Sequence, residues 1–203
     1  MQQSAAAVLG TWSNFYVITG SAAAALTGLV FVVITLVAGG SAGSSREGVA
    51  TFSTPTVVHF GTVLFVSALM SAPWRSLTHA GVILALTGVC GIIYIVRVTQ
   101  RARRGPDSAY QPDFEDWLWY SALPIGAYVV LAGAAIGLAA APSIALFALA
   151  AGVLLLIFIG IHNAWDVVTY IAVQLAAAKD AKRTDERSSS HAQPTPEEFA
   201  DRP

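Results

Sequence analysis

Residues 117–165 read WLWYSALPIGAYVVLAGAAIGLAAAPSIALFALAAGVLLLIFIGIHNAW, without one Asp, Glu, Lys or Arg. A helix needs about 20 apolar residues to cross roughly 30 Å of hydrocarbon. The stretch has 49 residues, room for two crossings. Ala141-Pro142-Ser143 offers the break, because proline suits the first turn of a new helix. Apolar runs of this length without a polar face exclude a surface helix of a soluble domain.

The rest of the chain repeats the pattern. Residues 1–45, 48–74 and 76–96 also lack charged side chains. Across all 203 residues, 55% are hydrophobic and 11% are charged, and the mean hydropathy is +0.63. An average soluble protein carries about 25% charged residues. A disordered chain needs the opposite composition, low hydrophobicity and high charge. The net charge of -1 gives no electrostatic reason for nucleic acid as a partner. A single cysteine forms neither an internal disulfide nor a thiolate metal site by itself.

The expected fold is all-α, an integral membrane bundle of five transmembrane helices. The predicted spans are 12–37, 55–72, 79–98, 116–140 and 142–175. With five crossings the basic residues fall on one side: Arg46 after the first helix; Arg97, Arg101, Arg103 and Arg104 after the third; Lys179, Lys182, Arg183, Arg187 and Arg202 after the fifth. Arg75 stands alone on the other side. The positive-inside rule then predicts the N-terminus outside and the C-terminus in the cytoplasm, as in a multi-pass protein of a bacterial inner membrane. The start, Met1-Gln2-Gln3-Ser4, has no basic region, and the apolar run after it is too long for a signal peptide, so it is expected to be retained as a helix. Trp12, Phe15, Tyr16 and Trp74 suit an outer aromatic belt, and Tyr94, Trp117, Trp119, Tyr120, Trp165 and Tyr170 an inner one.

Residues 1–177 are thus read as the transmembrane domain and 178–203 as a disordered cytoplasmic tail of mixed charge, serine and proline. Loop 38–54 is rich in Gly and Ser and reads as flexible, with Ser53 or Thr54 capping a helix that opens on Pro55. Small residues recur at four-residue spacing in Gly20–Ala24–Gly28, Gly133–Gly137, Ala148–Gly152 and Gly160–Ala164. Such spacing brings helix backbones close in lipid, within one bundle or between copies in a homo-oligomer.

Ionisable groups inside membrane helices are costly, and each needs a reason. The candidates are His59, His162, Asn163 and Asp166, with Arg97 and Tyr170 nearer the inner surface. At 1.5 Å per residue, His162 lies roughly 28 Å and His59 roughly 21 Å from the outer ends of their helices, so both reach the inner half. His162 and Asp166 are four apart and share a helix face, where the carboxylate can fix the imidazole tautomer. Three chemistries suit such a set: a structural hydrogen-bond pair, a proton or ion path, or a metal or haem site using His59, His162 and Asp166. As a zinc site it is thin, with no further Cys or carboxylate at that depth. The sequence leaves the cofactor open. No H-E-x-x-H, G-x-S-x-G or P-loop pattern is present.

Two stretches, WSNFYVITGSAAAALTGLVFV at 12–32 and GIHNAWD at 160–166 with Thr169 and Tyr170 beyond it, resemble a family of small bacterial multi-pass membrane proteins of uncharacterised function. Some members of that family carry a name as modulators of a membrane protease. The resemblance implies a membrane protein and draws attention to His162, Asn163, Trp165 and Asp166; it implies no reaction or substrate. The expectation is a non-enzymatic transport, channel or accessory component with an inner-leaflet polar site. The alternatives are a regulatory partner of other membrane proteins, such as a protease, and a metal- or haem-binding membrane protein.

Overall fold

The computed structural model describes residues 5–39, 46–104 and 114–191. Among them there is helix and turn and no strand. A short helix α1 (Ala5–Gly10) leads into α2 (Ser13–Gly39), α3 (Arg46–Ser71) and α4 (Leu77–Arg104). A single turn, α5 (Phe114–Trp117), passes through a π-helical turn (Leu118–Ala122) into α6 (Leu123–Gly137), and α7 (Pro142–His191) completes the chain. Five stretches are long and apolar enough to cross a membrane: Ser13–Thr35, Thr54–Ser71, Leu77–Arg101, Phe114–Gly137 and Pro142–Val173. They coincide, within a few residues, with the five spans predicted from the charge gaps.

Hydroxyl side chains sit in these helices at little cost. Thr19, Thr27, Thr62 and Thr87 each donate to the carbonyl four residues earlier, at 2.8–2.9 Å. A threonine bonded to its own helix presents mainly its methyl group to the surroundings. Between helices, the Thr19 and Ser67 hydroxyls meet at 3.1 Å and tie α2 to α3.

Two boundaries differ from the sequence reading. Helix α3 begins at Arg46, so Pro55 lies inside it rather than at its first turn. Proline is tolerated within such a helix where neighbouring groups satisfy the carbonyl it frees. The part of loop 38–54 at 40–45 lies outside the described residues. Helix α7 runs 50 residues to His191, past the predicted end at 175 and into the segment read as a disordered tail. The span has already met the cost of nucleation, so each added residue needs only propagation. Thr184 and Ser188 bond back to Asp180 and Thr184 at 3.0 Å. Lys182 and Glu186 pair at 4.0 Å one turn apart. Residues 192–203 of the tail lie outside the described residues.

The helices pack in the order α2, α3, α7, α6, α4, each against the next, while α3 and α4 barely touch. Neighbours are antiparallel. Gly81 approaches Ala135 and Gly88 approaches Ala132, as α4 descends along α6. Gly137 faces Ala145 and Gly152 faces Leu131, as α7 returns along α6. Arg97, Arg101 and the start of α3 therefore lie at one end of the bundle, here termed the basic end, and Arg75 at the other. That other end gathers aromatic rings: Trp12 packs edge-on against Phe147 at 4.8 Å, and the Trp74 indole donates to the Leu69 carbonyl at 2.6 Å.

Of the glycines the spacing suggested, Gly20, Gly152 and Gly160 make close approaches and Gly28 and Gly133 do not, while Gly81, Gly88 and Gly91 are tight without having been suggested. A Cβ on Gly133 or Gly28 would meet nothing within 4 Å. A Cβ on Gly88 would lie 2.8 Å from the Ala132 backbone nitrogen, and one on Gly160 would lie 2.5 Å from the Phe60 ring. The core stripe of α7 is Leu149, Val153, Leu156 and Asn163, all fully buried. Its fourth member is polar.

Candidate functional site

On α3, Thr56, His59, Phe60 and Val63 are buried at helical spacing. His59 is 0% exposed, and its Nδ1 lies 3.1 Å from the hydroxyl of Tyr128 on α6. That hydroxyl is also 3.3 Å from Thr62 Oγ1. Glycine at position 91 makes room, because a Cβ there would enter the Tyr128 ring.

Counting hydrogens orients this chain. Thr62 gives its only proton to the Val58 carbonyl at 2.8 Å, so toward Tyr128 it accepts. Tyr128 has one proton. If that proton goes to Thr62, His59 must donate through Nδ1–H, and every contact is a hydrogen bond. If it goes to His59, the Thr62 contact is lost. The first arrangement leaves His59 Nε2 as a bare acceptor, and Nε2 is buried without a partner. A buried unsatisfied group of this kind costs about 1–3 kcal/mol.

More unpartnered groups share that level. Both amide atoms of Asn163, Thr56 Oγ1 and the Tyr94 hydroxyl are buried and unpaired. Phe60 sits against Gly160 where α3 and α7 run antiparallel. Asn163, roughly 4.5 Å farther toward the basic end at 1.5 Å per residue, is therefore level with the turn from Thr56 to His59. The result is a polar layer within an apolar bundle, drawn from α3, α4, α6 and α7. Nearer the basic end, the Thr99 and Ser121 hydroxyls meet at 3.0 Å where α4 crosses the π turn.

His162 belongs to a second cluster. Its ring stacks on Trp119, with centroids 3.8 Å apart and planes 6° from parallel. Its Nδ1 is 3.2 Å from Asp166 Oδ2, an ion-pair separation off the hydrogen-bonding direction, and its Nε2 is 3.9 Å from Glu115. Tyr120 hydrogen-bonds Asp166. The π turn carries Trp119 and Tyr120 and sets the face they present to α7.

The expected grouping is thus divided. His162 and Asp166 pair as their spacing predicts. His59 turns to Tyr128 instead, so the set His59, His162 and Asp166 does not assemble. Among the described residues no group of three His, Cys, Asp or Glu is placed to hold a metal ion. Asn163, beside His162 in sequence, points into the bundle. Arg97 and Tyr170 are exposed and belong to neither cluster. Tyr128 was not among the residues singled out by sequence; a lone phenol in an apolar helix needs a partner when buried, and that was the available signal. Thr56, Thr62 and Glu115 carried no such signal.

Comparison with protein-family models, with curated proteins and with solved structures found no match to this chain.

Proposed function

We propose that the chain is a five-span membrane protein, N-terminus outside and basic end in the cytoplasm of a bacterial cell, that passes protons or a small polar solute through its buried polar layer. The observation that carries this reading is the set of unpartnered polar atoms at one level: His59 Nε2, both Asn163 amide atoms, Thr56 Oγ1 and the Tyr94 hydroxyl. In an apolar bundle such atoms are costly unless water or a polar solute visits them. His59 supplies the exchangeable site. Its Nδ1–H stays on the Tyr128 hydroxyl and keeps Nε2 the acceptor, and Nε2 takes a proton from one entering water and returns it to the next. Asn163 offers a donor and an acceptor to an incoming water. The His162, Asp166 and Tyr120 cluster forms the mouth at the basic end.

The test is proton flux into proteoliposomes, driven by a potassium diffusion potential and read with a trapped pH dye. Wild-type protein is expected to exceed empty liposomes. His59→Gln and Tyr128→Phe are each expected to reduce the flux at least tenfold, while His79→Gln leaves it unchanged. Absent wild-type flux, or flux insensitive to His59→Gln, overturns the proton reading.

A further inference from the structure

The side of the bundle where α3 and α4 barely touch holds a groove of about 510 Å³. Gly61, Thr62 and Phe65 line one wall, and Ile83, Cys90 and Tyr94 the other. Thr62 and Thr87 spend their hydroxyl protons on their own helices, so the lining is apolar up to the unpaired Tyr94 hydroxyl at its basic end. On α4 the stripe does not stop there. Ile83, Cys90, Tyr94, Arg97 and Arg101 follow one another at three-, four- and seven-residue steps and share a face. Both arginines are exposed, and among the described residues no carboxylate pairs with either. The face is therefore apolar for most of its length and doubly cationic at one end.

We propose that this groove holds one acyl chain of an anionic phospholipid whose phosphate is bound by Arg97 and Arg101. Charge and shape agree on this occupant. A zwitterionic lipid brings no net charge to the two arginines, and an apolar helix of another protein leaves them unmatched. From Arg97 to Ile83 is roughly 21 Å of helix, more than the roughly 15 Å of a single leaflet. A chain anchored at the arginines therefore has groove beside it over its whole length. Arginine suits the role because its planar fork grips phosphate with two parallel hydrogen bonds. The inference rests on the membrane-spanning part of the preceding proposal and not on proton transfer.

The experiment reconstitutes the full chain into nanodiscs of equal phosphatidylglycerol and phosphatidylcholine and weighs the released protein by native mass spectrometry. Flotation with vesicles reports insertion separately, so a failure to insert is distinguished from a failure to select lipid. Inserted wild-type protein is expected to retain phosphatidylglycerol in preference. Arg97→Gln with Arg101→Gln is expected to cut that preference roughly tenfold or more. Arg103→Gln, on the opposite face of α4, leaves it intact. Gly61→Leu fills the groove without a clash, since a Cβ there meets nothing within 4 Å, and is expected to abolish retention of both lipids. Equal retention of the two lipids by wild type overturns the proposal. So does a preference that survives loss of both arginines, or a co-purifying protein that shields Cys90 from labelling.

Discussion

Tyr128 has one hydroxyl, and two helices depend on it. It accepts from His59 Nδ1 and donates to Thr62, joining α6 to α3 by two bonds from one oxygen. Tyr128→Phe keeps the ring against Gly91 and removes that oxygen. Nδ1–H is then buried with no acceptor, a loss of about 1–3 kcal/mol. Thermal unfolding in detergent is expected to show a lower Tm for Tyr128→Phe, and an unchanged Tm for Thr87→Val, whose hydroxyl serves only its own helix. At this scale the sequence was half legible. His162 with Asp166 was readable because four residues make one helical turn. His59 with Tyr128 was not, because their separation of 69 positions is bridged only by the fold.

At the scale of elements, the charge gaps located all five spans, since a side chain that must leave water declares itself by composition. The ends were less legible. Pro55 suggested a start that lies nine residues inside α3, because the local rule for proline ignores what neighbouring helices tolerate. The glycine patterns were right at Gly20, Gly152 and Gly160 and wrong at Gly28 and Gly133. Gly133–Gly137 and Gly160–Ala164 share the familiar spacing, but Gly133 touches nothing while Gly160 is in tight contact, as is Gly88, which the spacing did not mark. The contrast is measurable. Gly160→Ala forces a methyl group against Phe60 and is expected to destabilise the bundle by about 1–3 kcal/mol. Gly133→Ala meets open space and gains helix propensity, so it is expected to be neutral or to stabilise by up to about 1 kcal/mol. Denaturation of the two variants side by side reads the difference.

Across the whole molecule, alternating helix directions collect the arginines of α4 and the lysines of α7 at one end. If that end faces the cytoplasm, a cysteine placed there is protected from an impermeant maleimide in intact cells. In a Cys90→Ser background, Ser188→Cys is expected to label only after lysis, and Ser76→Cys is expected to label before it. The reverse pattern inverts the topology. Labelling of both before lysis removes the five-span arrangement.

The packing order also fixes when the bundle can close. Phe60 comes early in the chain, yet the surface packed against it includes Gly160, a hundred residues later. Helices α2 and α3 form one packed pair and α4 and α6 another, and the two pairs share little contact except through α7, which lies between them. The last helix is the keystone of assembly. Without α7, the Phe60 side of α3 has no Gly160 against it. A chain halted before Pro142 therefore lacks the one element that joins the two pairs.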